Sequence, residues 1–109
     1  MKHILFDLID CSSDLLNDEE HIKWSLYHAV TESKSKLVHL QTHKFEPQGV
    51  TGYALLAESH ISIHTWPETG IAKCDIFTCS SECEPEKAVE YLSTRLKAKS
   101  KSTQFYERV

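Results

Sequence analysis

The feature that most restricts the fold is a strict alternation in the middle of the chain. From His60 to Trp66, His60, Ser62 and His64 fall on one side while Ile61 and Ile63 fall on the other. Successive strand side chains point to opposite faces, so this pattern predicts a half-buried strand with a polar outer face. Pro67 ends the strand, Glu68-Thr69-Gly70 turns the chain, and Ile71 to Cys79 supplies a second run. Upstream, the apolar run Tyr53–Ala57 stops at the polar step Glu58-Ser59. If the runs on either side of residues 66–70 pair as a hairpin, Cys79 falls roughly opposite Glu58-Ser59. His64 then lies about 17 Å of extended chain from Ser59. Only a sharp turn or bend at Glu58-Ser59 would bring hydroxyl, imidazole and thiol together, so a turn or strain is expected at that step.

The remaining elements fall around this hairpin. Ile4–Ile9 reads as a short apolar strand interrupted by Asp7. Asp18 can cap a helix whose first turn carries Glu19 and Glu20, where carboxylates suit the positive end of the helix dipole. Ile22, Leu26, Ala29 and Val30 recur at helical spacing and give it one apolar face. Leu37–Phe45 reads as a strand turned by Pro47 and Gly49, and Thr51–Ala57 as the next. Pro85 suits the first turn of a second helix with Ala88, Val89, Leu92 and Leu96 as its stripe, and Thr103–Tyr106 adds an edge strand. The order β-α-β-β-β-β-α-β, with short links between the central strands, predicts an α+β two-layer sandwich. Its sheet is antiparallel and its helices pack on one face. The 109 residues make a single domain.

A net charge of −4 argues against general nucleic-acid affinity. No run is long enough to span a bilayer and no charged-then-apolar leader is visible, so a cytoplasmic location is expected. Cys11, Cys74, Cys79 and Cys83 are then expected as free thiols. His60-x3-His64 and Cys79-x3-Cys83 mimic zinc spacing, but four residues of strand span about 13 Å, too far for two ligands of one ion. No metal is expected. The lysine-rich run Lys97–Lys101 reads as a solvated helix end.

Glu58-Ser59-His60, then His64-Thr65-Trp66-Pro67-Glu68, then Asp75-Ile76-Phe77-Thr78-Cys79 together resemble the short prokaryotic S-adenosylmethionine decarboxylases. The likeness runs from about Val38 to Lys99. It implies a pyruvoyl-dependent enzyme of polyamine biosynthesis that cuts itself between Glu58 and Ser59, giving chains 1–58 and 59–109. In that chemistry the Ser59 hydroxyl attacks the Glu58 carbonyl, and an N-to-O acyl shift gives an ester. Loss of the serine α-proton expels the acyl oxygen, and hydrolysis of the dehydroalanine leaves a pyruvoyl group and ammonia. The resulting ketone condenses with a substrate amine and serves as an electron sink, the role pyridoxal phosphate plays elsewhere.

The resemblance also assigns residues. His64 assists self-processing, Cys79 is the acid that returns a proton after decarboxylation, and Thr51 stands where the family has a processing serine. Phe45, Trp66 and Glu68 stand at substrate contacts, where aromatic faces stack on adenine and a carboxylate accepts ribose hydroxyls. Family members form (αβ)2 dimers with sites near the subunit interface, so a homodimer is expected. The chain departs from the family at Met1-Lys2-His3, where a longer segment with Leu-Gly-Arg-His is usual. It departs again at Lys73 and Cys74, usually small and apolar, and at Ser80, usually glycine. Two alternatives therefore stay open. One is a pyruvoyl-dependent arginine or ornithine decarboxylase, with Asp7 or Asp10 pairing a basic substrate. The other is a non-catalytic homologue that regulates a partner enzyme.

Overall fold

The computed structural model describes residues 1–109. Strands β1 (Lys2–Ile9), β2 (Leu37–Lys44), β3 (Val50–Leu56), β4 (Ser59–Trp66), β5 (Ile71–Thr78) and β6 (Ser100–Glu107) form one sheet in the order β2-β3-β4-β5-β1-β6. Every neighbouring pair is antiparallel. Helices α2 (Glu19–Glu32) and α3 (Pro85–Arg95), with the single turn α1 (Ser13–Leu16), cover one face. This is the two-layer α+β arrangement expected from the alternation.

The local signals act as anticipated. Asp18 accepts a hydrogen bond from the His21 amide at 3.1 Å, and Pro85 opens α3. Ile22, Leu26, Ala29 and Val30 of α2 are buried against Ile61, Ile63 and Ile76 of the sheet. Asp7 does not interrupt β1: it points to the uncovered face and pairs with Lys73 at 3.0 Å. The turn α1 went unforeseen because four residues carry no periodicity, although Ser12 caps it by accepting from the Leu15 amide.

A buried hydroxyl joins the layers beneath β4. Thr65 Oγ1 donates to the Leu16 carbonyl at 2.7 Å and accepts from the Val50 amide at 2.9 Å. One atom therefore ties α1, β3 and β4 together.

The other sheet face carries no helix. Three rows cross it, read from the strand register. The first holds His39, Leu55, His60, Phe77 and His3, the second Gln41, Tyr53, Ser62, Asp75 and Leu5, and the third His43, Thr51, His64, Lys73 and Asp7. Leu5, Tyr53 and Leu55 stand exposed within these rows.

Candidate active site

β3 and β4 join through the two-residue turn Ala57-Glu58, closed by the Leu56–Ser59 pair. Glu58 has φ 68°, the left-handed region that costs a residue other than glycine about 1–2 kcal/mol. The turn expected at Glu58-Ser59 is therefore present, and its strained residue lies on the acyl side of the step. Continuing the β4–β5 register beyond His60–Phe77 sets Thr78 across from Ser59 and Cys79 across from Glu58. Extended in this way, the register sets position 79 level with the turn, as the hairpin predicts. Thr78 and Cys79 line a cleft of about 170 Å³ with Met1, Lys2, Ser80, Ser81 and Glu107.

His64 does not join them. β4 runs without a break from Ser59 to Trp66, so the imidazole stays about 17 Å along the strand. The turn reverses the chain ahead of Ser59 and leaves the strand after it extended. At that far end, the structure gathers the other residues singled out by sequence. Phe45, Thr51, His64, Trp66 and Glu68 line one cleft of about 300 Å³ with Gln48, Gly49 and Thr65. Thr51 Oγ1 and His64 Nδ1 share a hydrogen bond of 3.0 Å, which fixes the imidazole's orientation. Ser59 thus lies at one end of β4, and the imidazole, aromatics and carboxylate lie at the other.

Between them lies a polar knot that sequence reasoning left without a role. Asp75 Oδ2 accepts from His3 Nε2 at 2.8 Å and from His60 Nε2 at 2.9 Å, while its Oδ1 accepts from the Ser62 hydroxyl. Arg108 donates to His3 Nδ1 at 3.3 Å, which puts the His3 proton on Nε2, facing the carboxylate. The three ligating atoms lie within 4.8 Å of one another, a spacing that could suit a cation. The tautomer set by Arg108 instead makes His3 Nε2 a donor, so the knot is hydrogen-bonded. Burial pushes the Asp75 carboxyl up, but the bonds from Ser62, His3 and His60 outweigh it and hold the group below its usual range. Asp75 opens the Asp75–Cys79 motif. The signal for its role was its position one register row from His60, visible once β4 and β5 are paired.

The two carboxylates considered for a basic substrate are placed elsewhere. Asp7 is occupied by Lys73 on the row farthest from Ser59, and Asp10 shares a cleft with Lys97 and Lys99. No helix is long and apolar enough to cross a membrane. All four cysteines are free, and burial pushes the Cys11 thiol up to about 11.

An antiparallel sheet with helices on one face, a serine beside a strained turn at one end of a strand and an imidazole cleft at its other end define a small α+β protein with two separate clusters of reactive side chains. Residues 2–109 match the family model described as S-adenosylmethionine decarboxylase. The chain is 53% identical over 97 residues to the S-adenosylmethionine decarboxylase proenzyme of Synechococcus sp. (strain WH7803), covering 89% of this chain and 76% of that one. It is 48% identical over 107 residues to the proenzyme of that name from Prochlorococcus marinus (strain MIT 9313), covering 98% and 86%. Among solved structures, the adenosylmethionine decarboxylase of Aquifex aeolicus VF5 superposes with a TM-score of 0.91 at 38% identity, covering 98% of this chain and 88% of that one. The chain belongs to the S-adenosylmethionine decarboxylase family.

Proposed function

We propose that this chain is the precursor of a pyruvoyl-dependent decarboxylase of polyamine biosynthesis acting on S-adenosylmethionine, matured by cutting itself into chains 1–58 and 59–109. The observation that carries this reading is the step itself, with strained Glu58 in an exposed turn, half-buried Ser59 closing the hairpin, and Cys79 across the strand pair. Attack of Ser59 Oγ on the Glu58 carbonyl carbon breaks the amide C–N bond and frees the Ser59 amine. Removal of the Ser59 α-proton then expels the Glu58 carboxylate. Addition of water and loss of ammonia leave the keto group at position 59.

The chain at position 59 accommodates that product. Conversion removes the serine hydroxyl oxygen and puts one oxygen in place of nitrogen, so no extra space is needed. The ladder bonds of β4 to β3 and β5 hold residue 60 behind it. A pyruvoyl group supplies an electrophilic carbonyl that accepts the electron pair left by departing CO2. Cys79 then holds the proton destined for the substrate carbon, Phe45 and Trp66 offer faces to the adenine, and Glu68 accepts hydrogen bonds from the ribose.

His64 enters from a second copy. An imidazole about 17 Å along a straight strand cannot take a proton at Ser59. Two chains packed open face to open face about a two-fold axis set the His64 cleft of each against the Ser59 turn of the other. Exposed Leu5, Tyr53 and Leu55 give that face apolar surface to bury. The mature protein is then an (αβ)2 homodimer with two shared sites.

Denaturing mass spectrometry tests the core of this reading. Wild type yields two chains divided at Glu58/Ser59 and Ser59→Ala yields one, with CO2 release from S-adenosylmethionine and not from arginine or ornithine. A wild-type chain that stays whole refutes it.

A further inference from the structure

We infer that Thr78 is a positioning residue for self-cutting, its hydroxyl being the cross-strand partner that orients the Ser59 hydroxyl toward the Glu58 carbonyl. This rests on the self-cutting reading and adds to it a residue with no role so far.

Thr78 is 1% exposed, and its Oγ1 is buried with no hydrogen-bond partner. A buried hydroxyl left unpaired costs free energy, and a valine of the same shape would fill the space without that cost. Only one other side-chain polar atom in the chain is in this condition, the Ser25 hydroxyl within α2. Thr78 differs in its surroundings. It is opposite Ser59 by register and on the same side of the sheet, since Ile61 and Ile63 follow Ser59 on the buried face and Ile76 precedes Thr78 there. It also lines the cleft that contains Cys79. The unpaired atom thus belongs to the residue across the strand pair from the serine.

Directly opposed strand residues have Cβ atoms about 4.5–5.5 Å apart, close enough for a hydroxyl on each to bond the other. The stiff χ1 of a β-branched residue keeps the threonine oxygen in place while serine rotates to meet it. The Ser59 hydroxyl then donates to Thr78 Oγ1, which leaves a serine lone pair free to face the Glu58 carbonyl carbon. No proton is taken by threonine, and the bond-breaking steps are those already given.

Three full-length variants test the assignment. Cutting is followed by denaturing mass spectrometry after folding is initiated, and stability is measured on uncut protein carrying Ser59→Ala. Thr78→Val is expected to cut on the order of tenfold to a hundredfold more slowly, the scale of a misaimed reacting group. In the Ser59→Ala background it is expected to melt at the same or a higher temperature, because it removes an unpaired buried oxygen. Thr78→Ser keeps the hydroxyl and is expected to cut within about threefold of wild type. Slow cutting accompanied by a lower melting temperature, and not rescued by serine, marks a packing defect and overturns the inference. So does a Thr78→Val chain that cuts at the wild-type rate beside a wild type that cuts normally. A wild type that never cuts defeats the earlier reading instead.

Discussion

The proposed sharing of sites between two copies makes a quantitative prediction for mixtures of two defective chains. Ser59→Ala lacks the nucleophile and His64→Ala lacks the imidazole, so neither alone yields the 59–109 chain at the wild-type rate. Along β4 the two residues are about 17 Å apart, against about 3 Å for a proton in flight, so a chain cannot serve itself. In a mixed dimer, the Ser59 of the His64→Ala chain faces an intact His64 and is cut, while the other site lacks both groups. With equal amounts and random pairing, about half of the serine-bearing chains enter mixed dimers, so about half are cut. With Ser59→Ala in fourfold excess the fraction rises to about four fifths. The assay is co-expression of differently tagged chains, followed by denaturing mass spectrometry of the His64→Ala species. Absence of cutting at every ratio, or normal cutting of His64→Ala alone, refutes the shared-site geometry.

Other outcomes follow from single contacts. Thr65→Val leaves the Val50 amide and the Leu16 carbonyl without their shared partner and is expected to lower stability by about 1–3 kcal/mol in denaturant titration. Asp75→Asn removes an acceptor from three donors and is expected to lower the melting temperature at neutral pH. The folded carboxyl titrates below its unfolded value, so the stability it contributes is present above that value and is lost as pH falls through the folded one. Wild type should therefore lose more stability than Asp75→Asn as the pH drops below about 4. Equal acid sensitivity of the two proteins would count against the knot. Cys79→Ala is expected to cut like wild type yet form little decarboxylated product, with fragment analysis and CO2 release measured on one sample.

Much of the fold was legible because its signals are local. Alternation in β4 identified both faces, Asp18 and Pro85 marked helix starts, and the short link at residues 67–70 paired β4 with β5. What period two does not carry is position along a strand relative to another molecule. The residues that the sequence singles out fall at two ends of β4, a division that emerged only with the straight strand. The place of β1 between β5 and β6 was equally hidden, since it depends on pairings across some seventy to one hundred residues. Asp7 shows the same limit: a charge inside an apolar run reads as a break until the uncovered face and Lys73 are seen. Asp75 and Thr78 lie within one motif, but the residues they face lie on other strands.

The strand order has a consequence for folding history. A cut at Glu58/Ser59 assigns β1, β2 and β3 to the first fragment and β4, β5 and β6 to the second, yet β1 sits between β5 and β6. The fragments are interleaved like fingers of two hands, each completing the other's sheet. The uncut chain finds this arrangement in a first-order search. Once divided, the same molecule can lose its structure only by coming apart into pieces, and reassembly becomes a second-order encounter that slows on dilution. Self-cutting would therefore also be a commitment: a protein that folded on its own before the break needs its lost half to fold again.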